Sequence, residues 1–211
     1  MVIPHGLNER FFSAPREQRI LSDCSPSTPF RLIYVSIIDQ YKHQRNVIRA
    51  VARLRESGFP LVLDLVGPAN PVALAKLRVS MEEFDANSEW VFYHGAVPYD
   101  RLHLLYRNAD LGVFASSCEN LPIILLETMA AGLPIACSNR GPMPEVLGNA
   151  GVYFDPEKPE EIAAALRYLL DSPTVRLEKY NLAYHRAQEY SWVQCASWTF
   201  EFLARVANDR I

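Results

Sequence analysis

From Phe30 onward the chain alternates short apolar runs with longer stretches in which apolar positions recur every three or four residues. The runs at 31–36, 61–66, 90–94, 111–115, 134–138 and 152–154 are rich in Val, Ile, Leu, Tyr and Phe. Runs that are apolar at nearly every position suit strands buried on both faces. After Lys42, the residues Val47, Ile48, Val51, Ala52 and Leu54 form a helical stripe that Gly58 can stop. Stretches 72–84 and 99–108 read as the next two helices. A fourth, 122–131, has proline in its first turn and Gly132 just past its end. Stretch 160–170 carries Ile162, Ala165, Leu166, Leu169 and Leu170 on one side. Strand–helix alternation with short connections predicts an α/β fold, a Rossmann-like doubly wound parallel sheet.

The two ends depart from that alternation. Residues 1–28 hold Pro4, Pro15 and Pro26 without sustained periodicity and read as a lead-in or interdomain linker. Residues 29–190 form the expected Rossmann-like domain. Beyond Asp171 the pattern is wholly helical, over 176–190 and 193–208. In the last stretch Trp198, Phe202 and Val206 recur every four residues, beside Cys195 and Leu203. Segment 191–211 therefore packs either on the sheet or on a separate N-terminal domain.

Composition narrows the function classes. With 49% apolar and 21% charged residues, the chain is an ordinary globular one. A net charge of −3 argues against a nucleic-acid binder, which presents a basic face. Cys24, Cys118, Cys137 and Cys195 are far apart, which disfavours a disulfide framework or zinc site and suits a reducing cytoplasm. The first residues show no export signal, and the most apolar stretch, 121–137, is interrupted by Glu127, Thr128 and Gly132.

Ligands of open parallel sheets bind where strands end and helices begin. Loops 36–42, 116–122 and 138–144 occupy such positions, and the middle one is the richest. It carries Glu119 and Asn120 ahead of a helix whose free N–H groups and dipole suit an anion. Glu127 lies inside that apolar helix, where a carboxylate is costly unless it accepts hydrogen bonds, for instance from a vicinal diol. Spacing alone equally allows a solvated Glu119 and a Glu127 paired to backbone or a basic group.

The Glu119…Glu127 spacing, followed by Met-Ala-Ala-Gly-Leu-Pro, resembles the E-x7-E signature of glycosyltransferase family 4, whose fold is GT-B. Val2-Ile-Pro-His-Gly, Tyr34-Val-Ser with Lys42, Val91-Phe-Tyr-His-Gly, Leu105-Tyr-Arg-Asn-Ala-Asp, Met143-Pro-Glu-Val-Leu-Gly and Tyr190-Ser-Trp resemble further segments in family order. The resemblance implies the C-terminal, donor-binding half of a retaining enzyme that uses a nucleotide diphosphate sugar and no essential metal. UDP-sugar is the first expectation and GDP-mannose the second. Glu119 is then expected at the donor sugar, Glu127 at the ribose diol and Lys42 at the departing diphosphate. The N–H groups of Leu121 and Ile123 would assist, and the nucleobase would lie near Ala96 and Val97.

Three departures stand out. Ile37 occupies the place of a usual phosphate-binding arginine, with Arg140 in the third loop as a candidate replacement. Glu119-Asn120-Leu121-Pro122 replaces Glu-Gly-Phe-Gly, leaving Asn120 either a donor ligand or an ordinary turn residue. Pro4-His5-Gly6 replaces Pro-Asn-Gly. The resemblance also implies an acceptor-binding N-terminal domain outside this sequence, a glycan or lipid-linked acceptor, no transfer by this chain alone, and a site of action at the inner membrane face. A non-catalytic nucleotide-sugar-binding module and a GT-B-like epimerase are the alternatives. A dinucleotide oxidoreductase is disfavoured, because no G-x-G-x-x-G follows the first strand.

Overall fold

A computed structural model describes residues 2–14 and 16–208. Six parallel strands, β1 (Phe30–Val35), β2 (Leu61–Val66), β3 (Val91–Tyr93), β4 (Leu111–Phe114), β5 (Ile135–Ser138) and β6 (Gly151–Phe154), form one sheet in the order β3-β2-β1-β4-β5-β6. The helices are α1 (Gln44–Glu56), α2 (Pro71–Phe84), α3 (Tyr99–Arg107), α4 (Ile123–Ala130), α5 (Met143–Leu147), α6 (Pro159–Asp171), α7 (Pro173–Ala187) and α8 (Trp192–Asn208). Helix α1 packs on α2 and α6, whereas α4 packs on α5 and α7, so both sheet faces are covered. This is the expected doubly wound α/β fold. The strand order reverses between β1 and β4, which sets the loops after those strands side by side at a topological switch point.

Helix α4 is the most deeply seated part of that switch point. Leu125 through Ala130 are all buried. Its approach to β4 depends on Gly112, where an added Cβ would collide with the Thr128 side chain. At its end Gly132 adopts φ +67°, and a Cβ there would strike the Tyr180 ring of α7. Glycine is the residue that tolerates both demands at that corner.

The structure sharpens or corrects the sequence expectation in several places. The lead-in joins the core: Leu7 and Phe11 are 5% and 1% exposed, and the Ser13 N–H donates to the Ala130 carbonyl at 3.0 Å. Leu7 and the Phe11-Phe12 pair, set among polar residues, repeat no period, so nothing in the pattern marks them. Edge strand β3 shortens to Val91–Tyr93 because Asp85 claims the incoming backbone, accepting from the N–H groups of Glu89, Trp90 and Val91 at 2.8–2.9 Å. Helix α7 starts three residues early, at Pro173, where the Ser172 hydroxyl caps the Val175 N–H at 3.2 Å. Helix α8 buries none of its residues, so it does not pack on the sheet. No helix among the described residues is long and apolar enough to cross a membrane.

Candidate functional site

The chain leaves β1 through a loop that ends in a 3-10 turn, Gln40–Lys42, with Asp39 accepting from the Gln40 N–H at 2.6 Å. Beneath it the buried Tyr34 hydroxyl donates to the Lys42 carbonyl at 2.8 Å, which fixes that residue from the core side. The Lys42 side chain is almost wholly buried. Its ammonium lies 4.9 Å from the Tyr41 ring centroid and 5.7 Å from that of Phe114, and it ion-pairs with Glu119 of the loop after β4. Two residues that lie 77 apart in sequence thus meet in one ion pair.

A second tie joins the same two loops. The Ser117 N–H donates to the Tyr41 carbonyl at 2.9 Å, and the Ser117 hydroxyl donates to it at 3.2 Å. His43 Nε2 lies 2.9 Å from the same Ser117 Oγ, which ties the imidazole to this loop junction. Burial lowers the His43 pKa, in keeping with a neutral ring. His43 itself takes a left-handed conformation, φ 52°, between the 3-10 turn and α1.

The start of α4 differs from expectation in one detail. Pro122, at φ −78° and ψ 76°, sits at the centre of an inverse γ-turn, and the Ile123 N–H donates to the Leu121 carbonyl at 2.9 Å. The Ile123 amide is therefore occupied. Among the described residues, the N–H groups of Leu121, Ile124 and Leu125 donate to nothing, so these three remain free at the helix start.

Farther along α4, Glu127 is 1% exposed and its Oε2 has no hydrogen-bond partner among the described residues. Burial pushes its carboxyl up to about 7, against a smaller opposing effect of a hydrogen bond from Tyr99. Tyr99 opens α3 directly after the loop holding Ala96 and Val97. Its ring packs 5.2 Å from Phe11 and under the Arg10 guanidinium at 5.9 Å. Burial and the nearby Glu127 charge raise the Tyr99 hydroxyl to about 12. An unfilled acceptor in an apolar helix costs about 1 to 3 kcal/mol, so the Glu127 oxygen can accept a hydroxyl donor at no further desolvation cost.

Residues 21–189 match the model of the family described as glycosyl transferases group 1. The chain belongs to this family. It is 28% identical to the O-antigen chain mannosyltransferase B of Escherichia coli, over 79% of its own length and 44% of that relative. It spans about half the length of the curated relatives it matches. Sucrose-phosphate synthase from Thermosynechococcus elongatus shares the fold at TM-score 0.83 and 20% identity, covering 98% of this chain and 52% of that one. The Anabaena protein HepE, solved in complex with UDP and glucose, does so at TM-score 0.82 and 18% identity, over 97% and 56%.

Within this family member, Lys42 and Glu119 meet directly, while Glu127 lies farther along, inside α4 and near Tyr99. Asn120 is exposed beside Glu119. Arg140 is not free: its guanidinium binds Asp155 at 2.9 Å and Glu157 at 3.5 Å. At the unusual Ile37, the Gln44 amide donates to the Ile37 carbonyl at 2.8 Å and the Ser36 hydroxyl at 2.9 Å, so the loop is braced without an arginine. Tyr99, His43 and Ser117 escape the sequence reading. For Tyr99 the available signal is its place directly after Val97-Pro98; for the other pair, 74 residues apart, there is none.

Proposed function

We propose that this chain is the donor-binding half of a retaining hexosyltransferase that takes a sugar from a nucleotide diphosphate. One observation carries the reading: the Lys42–Glu119 ion pair stands at the mouth of α4, and the same helix holds Glu127 with an unused buried oxygen. In the empty cleft Glu119 neutralises Lys42. An arriving diphosphate takes over the ammonium and frees Glu119 to accept hydroxyls of the donor sugar. The Glu127 carboxylate then accepts from the ribose diol, and the nucleobase rests on the Ala96–Val97 backbone beside Tyr99. Negative charge grows on the diphosphate as the glycosidic bond breaks. Lys42 and the N–H groups of Leu121, Ile124 and Leu125 meet that charge with dipoles already in place. Pre-formed contacts of this kind are worth about 3 kcal/mol each in barrier height.

UDP-sugar is the first choice of donor, supported by the UDP complex of HepE, and GDP-mannose is the second, supported by the mannosyl relative. The acceptor is a glycan or lipid-linked saccharide bound by an N-terminal domain, as in assembly of a bacterial surface polysaccharide on the cytoplasmic membrane face. Exposed Trp192, Val193, Phe200 and Leu203 on α8 give that domain an apolar surface to rest on. Arg140, held by Asp155 and Glu157, favours one second reading, a module that binds nucleotide sugar without transferring it.

Calorimetric titration with UDP-, GDP- and ADP-sugars tests the assignment. Saturable binding of one of them, lost in Glu127→Ala and in Lys42→Gln, is the expected result. No binding of any nucleotide, or binding untouched by both changes, overturns it. Turnover by the full-length protein that collapses in Lys42→Gln separates the transferase from the module.

A further inference from the structure

Between α1 and α2, at the ends nearest the loops after β1 and β2, lies a cavity of about 460 Å3 whose lining includes neither Lys42 nor Glu119. Arg45, Arg49 and Lys76 line it, and among the described residues none of the three has an ion-pair partner. Asp39 is the one carboxylate in the lining, and its Oδ1 already accepts the Gln40 N–H. The Nε of Arg45 donates to the Ser80 hydroxyl at 2.9 Å, which pins its stem while leaving the outer nitrogens unused.

This arrangement runs against the rest of the molecule. The chain as a whole carries −3, yet here three cations face one carboxylate. Arg45 and Arg49 are also four apart on α1, a like-charge spacing that weakens a helix. A concavity that gathers like charges and leaves them uncompensated is stabilised by an anion. The lining carries a formal charge of +2, which matches the charge of about −1.5 to −2 on a phosphomonoester at neutral pH. The volume falls within the roughly 300 to 1,000 Å3 of small-molecule pockets, which suits a sugar-sized body better than a flat lipid surface. The side-chain nitrogen of Asn70, whose oxygen caps α2, adds a hydrogen-bond donor at the rim.

We propose that the α1–α2 cavity binds a sugar phosphate through Arg45, Arg49 and Lys76, at a site separate from the donor cleft. The inference does not depend on which nucleotide sugar the cleft takes. NMR titration of the chain with glucose 6-phosphate, inorganic phosphate and glucose tests it. Saturable shifts with glucose 6-phosphate, weaker ones with phosphate and none with glucose are expected, centred on α1 and α2. Arg49→Gln and Lys76→Gln should each weaken binding about tenfold, the scale of one charge-assisted hydrogen bond. Both side chains reach solvent, so the variants should melt like the parent. Lys42→Gln, which removes a donor-cleft cation, should leave the affinity unchanged. The proposal is overturned if glucose 6-phosphate fails to saturate. It is equally overturned if Lys42→Gln abolishes binding while Arg49→Gln spares it, or if only phosphatidylglycerol vesicles produce a response. A parallel UDP-sugar titration reads the donor cleft on its own, so failure at one site is distinguishable from failure at the other.

Discussion

Glu127 holds its proton far longer than a carboxyl in water does. In the unfolded chain it titrates near 4.5; in the folded chain burial moves it to about 7. Between those values the native state binds the extra proton, so stability falls as pH rises through that window and levels off above it. The full drop is about 3 kcal/mol. Denaturant midpoints measured from pH 4 to 8 should show this slope in the parent and lose it in Glu127→Gln. A ribose diol hydrogen-bonds best to the ionised carboxylate, so nucleotide affinity should climb as pH rises toward 7 and proton release should accompany binding. Tyr99→Phe removes the phenol that favours the ionised form and should shift that climb to higher pH. A flat affinity profile in parent and variant alike counts against Glu127 as the diol's partner.

At the scale of elements, hydrogen bonds at the ends of helices set where the apolar stripes begin and stop. Ser172 caps α7, and Ser172→Ala should lower unfolding free energy by about 1 kcal/mol in a denaturant melt. Gly132→Ala should be worse, because it combines a positive φ with a clash against Tyr180. Strands and long helices were legible because each repeats a periodicity over many residues. Helix α5 was not, since Met143–Leu147 is too short for a 3.6-residue period to register. Glu119, Glu127 and Lys42 could be picked out as chemistry-bearing residues in the loops and helix that flank the switch point. What the sequence concealed is pairing at a distance: the Lys42–Glu119 contact, the His43–Ser117 tie, the γ-turn that occupies the Ile123 amide, and the acids that hold Arg140. Each depends on how two loops settle against one another, which no local pattern encodes.

For the molecule as a whole, the unequal burial of its helices matters most. Helix α8 exposes Phe200 by 72% and Leu203 by 54%, while Leu125–Ala130 of α4 are sealed in the interior. Contiguous exposed apolar surface promotes association. The chain alone should therefore sediment with concentration-dependent self-association, and replacing Phe200 and Leu203 with serine should abolish it. The same pair of changes should alter unfolding free energy by no more than about 0.5 kcal/mol, as expected for residues that pack on nothing.

Helix α4 has the opposite character. It is wedged between Gly112 on one side and the Gly132–Tyr180 corner on the other, with the ionisable Glu127 at its heart. A segment held so tightly should tolerate few substitutions in directed evolution. Variants with a new sugar preference should therefore arise by substitution at Cys118 and Asn120, where solvent-facing positions tolerate novelty, while the sealed rod behind them stays unchanged.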